Sequence, residues 1–325
     1  MSRTLVLAAL AAVLAASASD AQPAPPGGHV RFRQPVGEGY EVRIRTDFEA
    51  ECPEGEDALF AVDGETSPFE PVRPGADGCP PTETLLLWKD GAPIDSVGGW
   101  RLWLGAPVDT LIWENLTPAE HPVPEGAVRD LTGDGVPELI VGTYSGGAHC
   151  CTGVLVVSLG ETPARLGQID ASDSEIAVDD TDAGPVFRLL DMTFAYWNTS
   201  FAGSPAPEVL LAWDAEAEAF APAVDLMRQP PLPAADLAAL VAEVRADTDW
   251  RTRRFPPPTY WGTLLDLLYA GRSAQAERFA TDAWGLSDDA RGLFLEWFRD
   301  QLWQSPYASA VINMNGGAEW LGPLY

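Results

Sequence analysis

The hydrophobic period of this chain changes once, at Pro230, Pro231 and Pro233. Before the prolines, short β-branched and aromatic runs recur between clusters of Gly, Pro and Asp. Examples are Tyr40-Glu-Val-Arg-Ile-Arg45, Thr84-Leu-Leu-Leu-Trp88, Trp100-Arg-Leu-Trp-Leu104, Leu139-Ile-Val-Gly-Thr-Tyr144 and Val154-Leu-Val-Val-Ser158. That pattern predicts strands. Tyr40 to Arg45 alternates, so one face of that strand is expected to be wet. The runs headed by Leu139 and Val154 are nearly continuous, so those strands are expected to be buried on both faces. After the prolines the spacing becomes helical. Asp236, Thr259, Ser273 and Ser287 stand where helices can begin, and Pro306 suits a first helical turn. Leu237, Leu240, Val241 and Val244 form one apolar stripe, and Tyr260, Trp261, Leu264, Leu265 and Leu268 a second. Phe279 and Trp284 follow, then Leu293, Phe294, Trp297 and Leu302. The expected fold is α+β: an N-terminal all-β repeat domain, propeller-like or of stacked sheets, and then a C-terminal domain of α-helical hairpins.

The ends and the composition narrow the class. Arg3, the apolar run Leu5 to Ala16 and small-residue cleavage options after Ala18 or Ala21 predict a signal peptide over 1–21. A flexible Pro- and Gly-rich leader follows over 22–28, then the β-repeat domain over 29–228 and the helical domain over 229–325. No cysteine stands at either cleavage option, and no later run approaches the ~20 apolar residues of a membrane helix. The expectation is therefore a periplasmic or secreted protein without a membrane anchor after cleavage. Hydrophobic content of 46% with 12 Trp and 12 Phe predicts a packed core rather than disorder. The formal charge of −28, from 48 acidic against 20 basic residues, disfavours nucleic acid and anionic lipid as partners and suits divalent cations.

In an oxidising compartment Cys52, Cys79, Cys150 and Cys151 are expected to form disulfides. Three pairings are possible. Cys52 with Cys79 is favoured, because those residues bracket a Pro-, Gly- and acid-rich loop with little apolar surface to hold it closed. Cys150 and Cys151 would then form a strained vicinal bond. The alternative pairs each of them with one of the distant two. His149 beside two thiols is a candidate copper or zinc ligand, or an assistant in thiol–disulfide exchange. The bland reading, a structural disulfide and a hydrogen-bonded histidine, fits the compartment better. Among catalytic patterns, neither a Gly-x-Ser-x-Gly elbow nor His-Glu-x-x-His occurs in the sequence. Trp88, Trp100, Trp103 and Trp113 could stack on sugars, but their strand positions favour core packing.

The stretch Asp130-Leu-Thr-Gly-Asp134-Gly-Val-Pro-Glu138-Leu-Ile-Val carries the sharpest chemical signal. Oxygen-bearing side chains occupy positions one, three, five and nine, with glycines at four and six. A hard cation needs several oxygens at about 2.3–2.6 Å on a sharply bent backbone. Position twelve is Val141, so an EF-hand is excluded. The order resembles the calcium loops of FG-GAP and VCBS repeats in secreted bacterial and integrin-like β-propellers. The resemblance covers barely a tenth of the chain. It implies calcium held by Asp130, Thr132, Asp134 and Glu138 with the carbonyl of Val136. The chain differs at Thr132 and Glu138, where the family usually carries Asp or Asn and Asp. The segment Ser145-Gly-Gly-Ala-His-Cys-Cys that follows resembles one in a group of exported bacterial proteins of unknown function, and implies no activity. A weak internal repeat matches Pro137-Glu-Leu-Ile-Val to Pro207-Glu-Val-Leu-Leu, each after an aspartate-led segment that starts at Asp130 or Asp191.

The functional expectation is an exported, non-enzymatic, calcium-stabilised binding module for a protein or a glycan. The rival is a periplasmic enzyme, either a thiol–disulfide factor using Cys150 and Cys151 or a carboxylate-based glycosidase.

Overall fold

The computed structural model describes residues 29–37, 39–46, 83–99, 101–105, 126–147, 150–247, 250, 252 and 255–317. The first sheet is an antiparallel meander of β1 (His29–Gly37), β2 (Tyr40–Thr46), β3 (Glu83–Lys89) and β4 (Ala92–Gly99). Its last turn is the pair Asp90-Gly91, both left-handed at φ 50 and φ 83, which closes Lys89 against Ala92. A two-residue hairpin loop twists with its strands only when both residues are left-handed, which is why Asp-Gly is found there. The second sheet is ordered β5 (Arg101–Leu104), β7 (Glu138–Gly147), β8 (Cys150–Ser158) and β9 (Ala164–Ser172). Short β6 (Val128–Arg129) also pairs with β7. The third sheet is a meander of β10 (Ile176–Thr181), β11 (Gly184–Leu190), β12 (Glu208–Asp214) and β13 (Ala219–Pro222). The hairpin expected around Trp213 and Phe220 is β12–β13, with those two residues paired across it.

The second sheet lies in the middle of a stack. Leu139, Val141, Leu155 and Val157 pack with Tyr40, Val42, Ile44, Leu85 and Leu87 of the first sheet. The alternate residues Ile140, Val154 and Val156 pack with Phe187, Leu189, Val209 and Leu211 of the third sheet and with the helices. Period-two alternation therefore feeds two separate cores from one pair of strands. This is the physical content of their nearly unbroken apolar sequence. Burying one such side chain contributes about 1.5–3 kcal/mol.

Close approach sets one glycine. Gly142 pairs with Trp103 across β5 and β7, and a Cβ at 142 would lie 2.0 Å from the Trp103 ring. Trp103 is half-buried and packs against the core rather than standing free. A polar clamp ties the first sheet to the second. The Tyr40 hydroxyl donates to the Gly160 carbonyl at 2.6 Å, and Lys89, the only lysine in the sequence, donates to the same carbonyl at 3.1 Å.

The helices are α1 (Val224–Met227), α2 (Ala234–Ala246), α3 (Pro258–Tyr269), α4 (Ser273–Asp282), α5 (Asp288–Leu302) and α6 (Ala308–Met314). Antiparallel sheets followed by helices make the fold α+β. Ser287 caps α5 as expected, its hydroxyl accepting from the Ala290 N–H. Three other starts differ from expectation. Pro233 and Pro257 occupy the cap positions of α2 and α3, placing Asp236 and Thr259 inside the first turns. Fixed proline φ sets those entries without a side-chain cap. At α6 the cap position is Tyr307, and Pro306 precedes the helix. The apolar stripe of α5 is narrower than its sequence: Phe294, Phe298 and Leu302 are buried, whereas Leu293 and Trp297 are 48% and 50% exposed. Among the described residues, no helix is long and apolar enough to cross a membrane.

Candidate metal site

The Asp130 loop joins β6 to β7. Its shape follows from its own side chains. The Asp130 carboxylate accepts from the N–H of Gly133 at 2.7 Å through Oδ1 and from that of Gly135 at 2.9 Å through Oδ2. Both glycines are left-handed, at φ 79 and φ 85, so the chain can curl around the carboxylate without a Cβ penalty. Asp134 Oδ1 accepts from the Val136 N–H at 2.8 Å, a second local turn. The loop is anchored at its base, where Ile140 N–H donates to the Ala127 carbonyl and Leu159 N–H to the Pro137 carbonyl. Leu131 is buried under it.

Glu138 is the first residue of β7 and is fully buried, at 0% exposure. One of its oxygens, Oε2, accepts from the Leu131 N–H at 2.6 Å. The other, Oε1, is buried and has no hydrogen-bond partner, and the same is true of the Thr132 hydroxyl. Three buried side-chain oxygens among the described residues lack a partner, and these are two of them. An unsatisfied buried acceptor costs about 1–3 kcal/mol, more if charged. Burial pushes the Glu138 carboxyl above the ordinary range. Amide hydrogen bonds from Leu131 and Thr132 oppose that, and the negative charges of Asp134 and Asp130 add to it. The nearest basic residue in sequence, Arg129, reaches away to pair with Asp180 on β10.

Asp130, Asp134 and Gly133 are exposed while Thr132 and Glu138 turn inward, so the expected ligands surround one tight loop. Among the described residues, no three His, Cys, Asp or Glu side chains converge as a ready-made metal cluster. Both oxygens of Asp130 and one of Asp134 are bonded to backbone N–H groups. The oxygens left over are the Thr132 hydroxyl, Glu138 Oε1 and the second oxygen of Asp134, a set of one hydroxyl and two carboxylates. Hard oxygen donors of this kind suit calcium or magnesium rather than a thiophilic metal.

The remaining candidates fall elsewhere. Cys52, Cys79 and His149 lie outside the described residues. Cys150 and Cys151 begin β8, where the backbone of Cys150 pairs with Gly147, but their side chains are not among those described. The disulfide pairings therefore lie outside the described residues as well. Trp88 is half-buried, with the Arg43 guanidinium 3.5 Å from its ring centroid. Trp100 and Trp113 lie outside the described residues.

One polar centre escapes reading from sequence. Asp191, at the repeat position equivalent to Asp130, is buried and fully engaged. Its Oδ1 accepts from the Thr193 N–H at 2.9 Å, and its Oδ2 accepts from the Ser305 hydroxyl at 2.5 Å and from the Tyr269 hydroxyl. Burial and the Asp191 charge hold the Tyr269 hydroxyl far above its ordinary range, so it stays protonated as a donor. The aspartate-led repeat is the only signal that marks this position in advance. No family model, no curated protein and no solved structure matches the chain.

Proposed function

We propose that this chain is an exported, non-catalytic binding module whose β-sheets are blade-like repeat units pinned by calcium at the Asp130 loop. One observation carries the reading: Glu138 Oε1 and the Thr132 hydroxyl are buried, oxygen-bearing and unpartnered in the loop whose spacing suits a cation. Thr132, Asp134 and Glu138 would hold the ion with the Val136 carbonyl, and Asp130 would shape the loop around it. A bound dication would supply positive charge beside the buried Glu138 carboxyl, on which the Asp134 and Asp130 charges already act. The chain's own residues do the rest. Leu131 and Ile140 fix the loop to the core shared with the third sheet and the helices, and the Pro137–Leu159 hydrogen bond fixes it to the β8–β9 turn that Lys89 and Tyr40 grip. A filled loop would therefore stiffen the junction of all three sheets, leaving the outer loops to bind a protein or glycan.

Thermal melts in millimolar calcium and in chelator test this. Binding to the folded state alone stabilises by about 2.7 kcal/mol at a hundredfold excess over Kd. For a domain of this size that is roughly 5–10 °C. Asp134→Ala should abolish the difference. If wild type and variant melt alike in both conditions, the loop is an ordinary turn.

A further inference from the structure

The outer face of α5 holds apolar side chains in water. Phe294, Phe298 and Leu302 are buried, while Leu293 and Trp297 are 48% and 50% exposed. Trp303, directly after the helix, is 45% exposed. These three make up half of the six large apolar side chains that are exposed among the described residues. Exposed apolar residues scattered singly are ordinary, whereas a cluster of them marks an interaction surface. A row of acids runs through the cluster. Asp289, Glu296 and Asp300 are spaced by seven and four residues, which puts them on one line along the helix, about 16 Å long. Leu293 and Trp297 flank the line on one side, and Gly292 and Trp303 on the other. All three acids are exposed, and none has an ion pair among the described residues. The cations of the helix do not neutralise them: Arg291 pairs with Asp288 at 3.1 Å, and Arg299 is half-buried. Gly292 adds an independent mark. Glycine inside a helix weakens it relative to alanine. A Cβ at 292 would meet nothing within 4 Å, so no contact of this chain requires the glycine. On an exposed helix face a missing side chain lets a second backbone come close.

We propose that the outer face of α5 docks a basic, amphipathic helical segment of a partner protein. Its apolar residues would cover Leu293, Trp297 and Trp303, its Lys or Arg side chains would meet the acid row, and its backbone would come closest at Gly292. Charge selects this occupant. The acid row repels an anionic membrane, and it repels the same row on a second copy. The chain's own residues 318–325 carry one acid, Glu319, and no cation to match it. The surface lies on a different element from the Asp130 loop and does not depend on calcium.

The test is fluorescence anisotropy of the full chain with a labelled helical peptide of leucine and lysine at amphipathic spacing. The control is the same peptide with every lysine replaced by glutamate. Wild type should bind the lysine peptide and not the glutamate one. Leu293→Ser with Trp297→Ser should weaken binding roughly tenfold or more, the loss expected for central anchors. Both side chains are exposed, so this protein should fold and melt like wild type. Asp289→Asn with Glu296→Gln and Asp300→Asn should also weaken binding and flatten its salt dependence. Asp182→Asn with Glu216→Gln and Glu243→Gln removes as many exposed acids from other elements and should bind like wild type. Gly292→Ala should raise the melting temperature and yet weaken binding, an opposition that a purely structural role would not give. Undetectable binding by wild type, or unchanged binding by the Leu293→Ser, Trp297→Ser protein or by Gly292→Ala, overturns the proposal. An equal loss from the three distant acids does so too, since the overall negative charge would then be the attractant. Sedimentation of wild type as a dimer that Trp297→Ser dissolves would assign the face to a second copy instead. Tighter peptide binding by a chain ending at Gly317 would assign it to residues 318–325.

Discussion

Glu138→Gln should make the protein more stable without calcium and less stable with it. The native carboxylate is fully buried, with Oε1 unpartnered, Oε2 accepting from the Leu131 N–H and a further amide contact from Thr132. Glutamine keeps the shape and can keep the Leu131 bond through its carbonyl oxygen. It gives up the charge assistance of that bond, worth about 1 kcal/mol. It gains relief from burying an unsatisfied charged oxygen, about 1–3 kcal/mol, and from repulsion by Asp130 and Asp134. The net in chelator is a gain of about 1–2 kcal/mol, or roughly 2–8 °C in Tm. With calcium at a hundredfold excess over Kd, wild type gains about 2.7 kcal/mol and the variant, lacking the carboxylate, gains little. The order of stability then inverts. The pH dependence has a definite sign. Glu138 titrates above the ordinary carboxylate range in the folded state, so between the unfolded and folded pKa values the native state binds more protons than the unfolded one. Calcium-free stability should therefore fall as pH rises through that window, and the fall should be smaller in Glu138→Gln. Differential scanning calorimetry of both proteins across pH 4–8, in chelator and in calcium, reads all of this. A variant less stable than wild type in chelator would refute the argument, because the buried carboxylate would then be satisfied by its surroundings.

Two further perturbations probe the fold that carries the sites. Asp191→Ala removes the acceptor shared by Thr193, Tyr269 and Ser305, and should cost about 3–5 kcal/mol in denaturant titration. A loss under about 1 kcal/mol would mean water replaces the carboxylate. Gly142→Ala places a Cβ 2.0 Å from Trp103 and should cost about 3 kcal/mol or more, while the same change in a Trp103→Ala background should cost far less. Equal costs in the two backgrounds would show that the glycine is kept for its backbone and not for the ring.

Much of the architecture is a local property of the chain. The continuous apolar runs at Leu139 and Val154 fill two cores because successive strand residues point opposite ways, and no distant contact is needed to see it. The Asp130 loop is equally local. Its bends come from two glycines and from carboxylates bonding to N–H groups within five residues, so spacing alone announces the oxygen-rich turn. Tertiary structure decided what became of those oxygens. Glu138 Oε1 is left without a partner in a side chain that the start of β7 holds fully buried. Asp191 begins from a similar aspartate-led segment, yet it is saturated by Tyr269 and Ser305, which lie 78 and 114 residues along the chain. On α5 the four residues Leu293, Phe294, Trp297 and Phe298 are all apolar at neighbouring positions. Only the aromatic cluster of Trp197, Trp261 and Trp284 selects Phe294 as buried and leaves Leu293 and Trp297 in solvent. Periodicity and turn chemistry act over a few residues and are written in the sequence. Which apolar face is covered, and which buried oxygen finds a donor, depends on groups brought together from far apart, and only the packed chain contains that information.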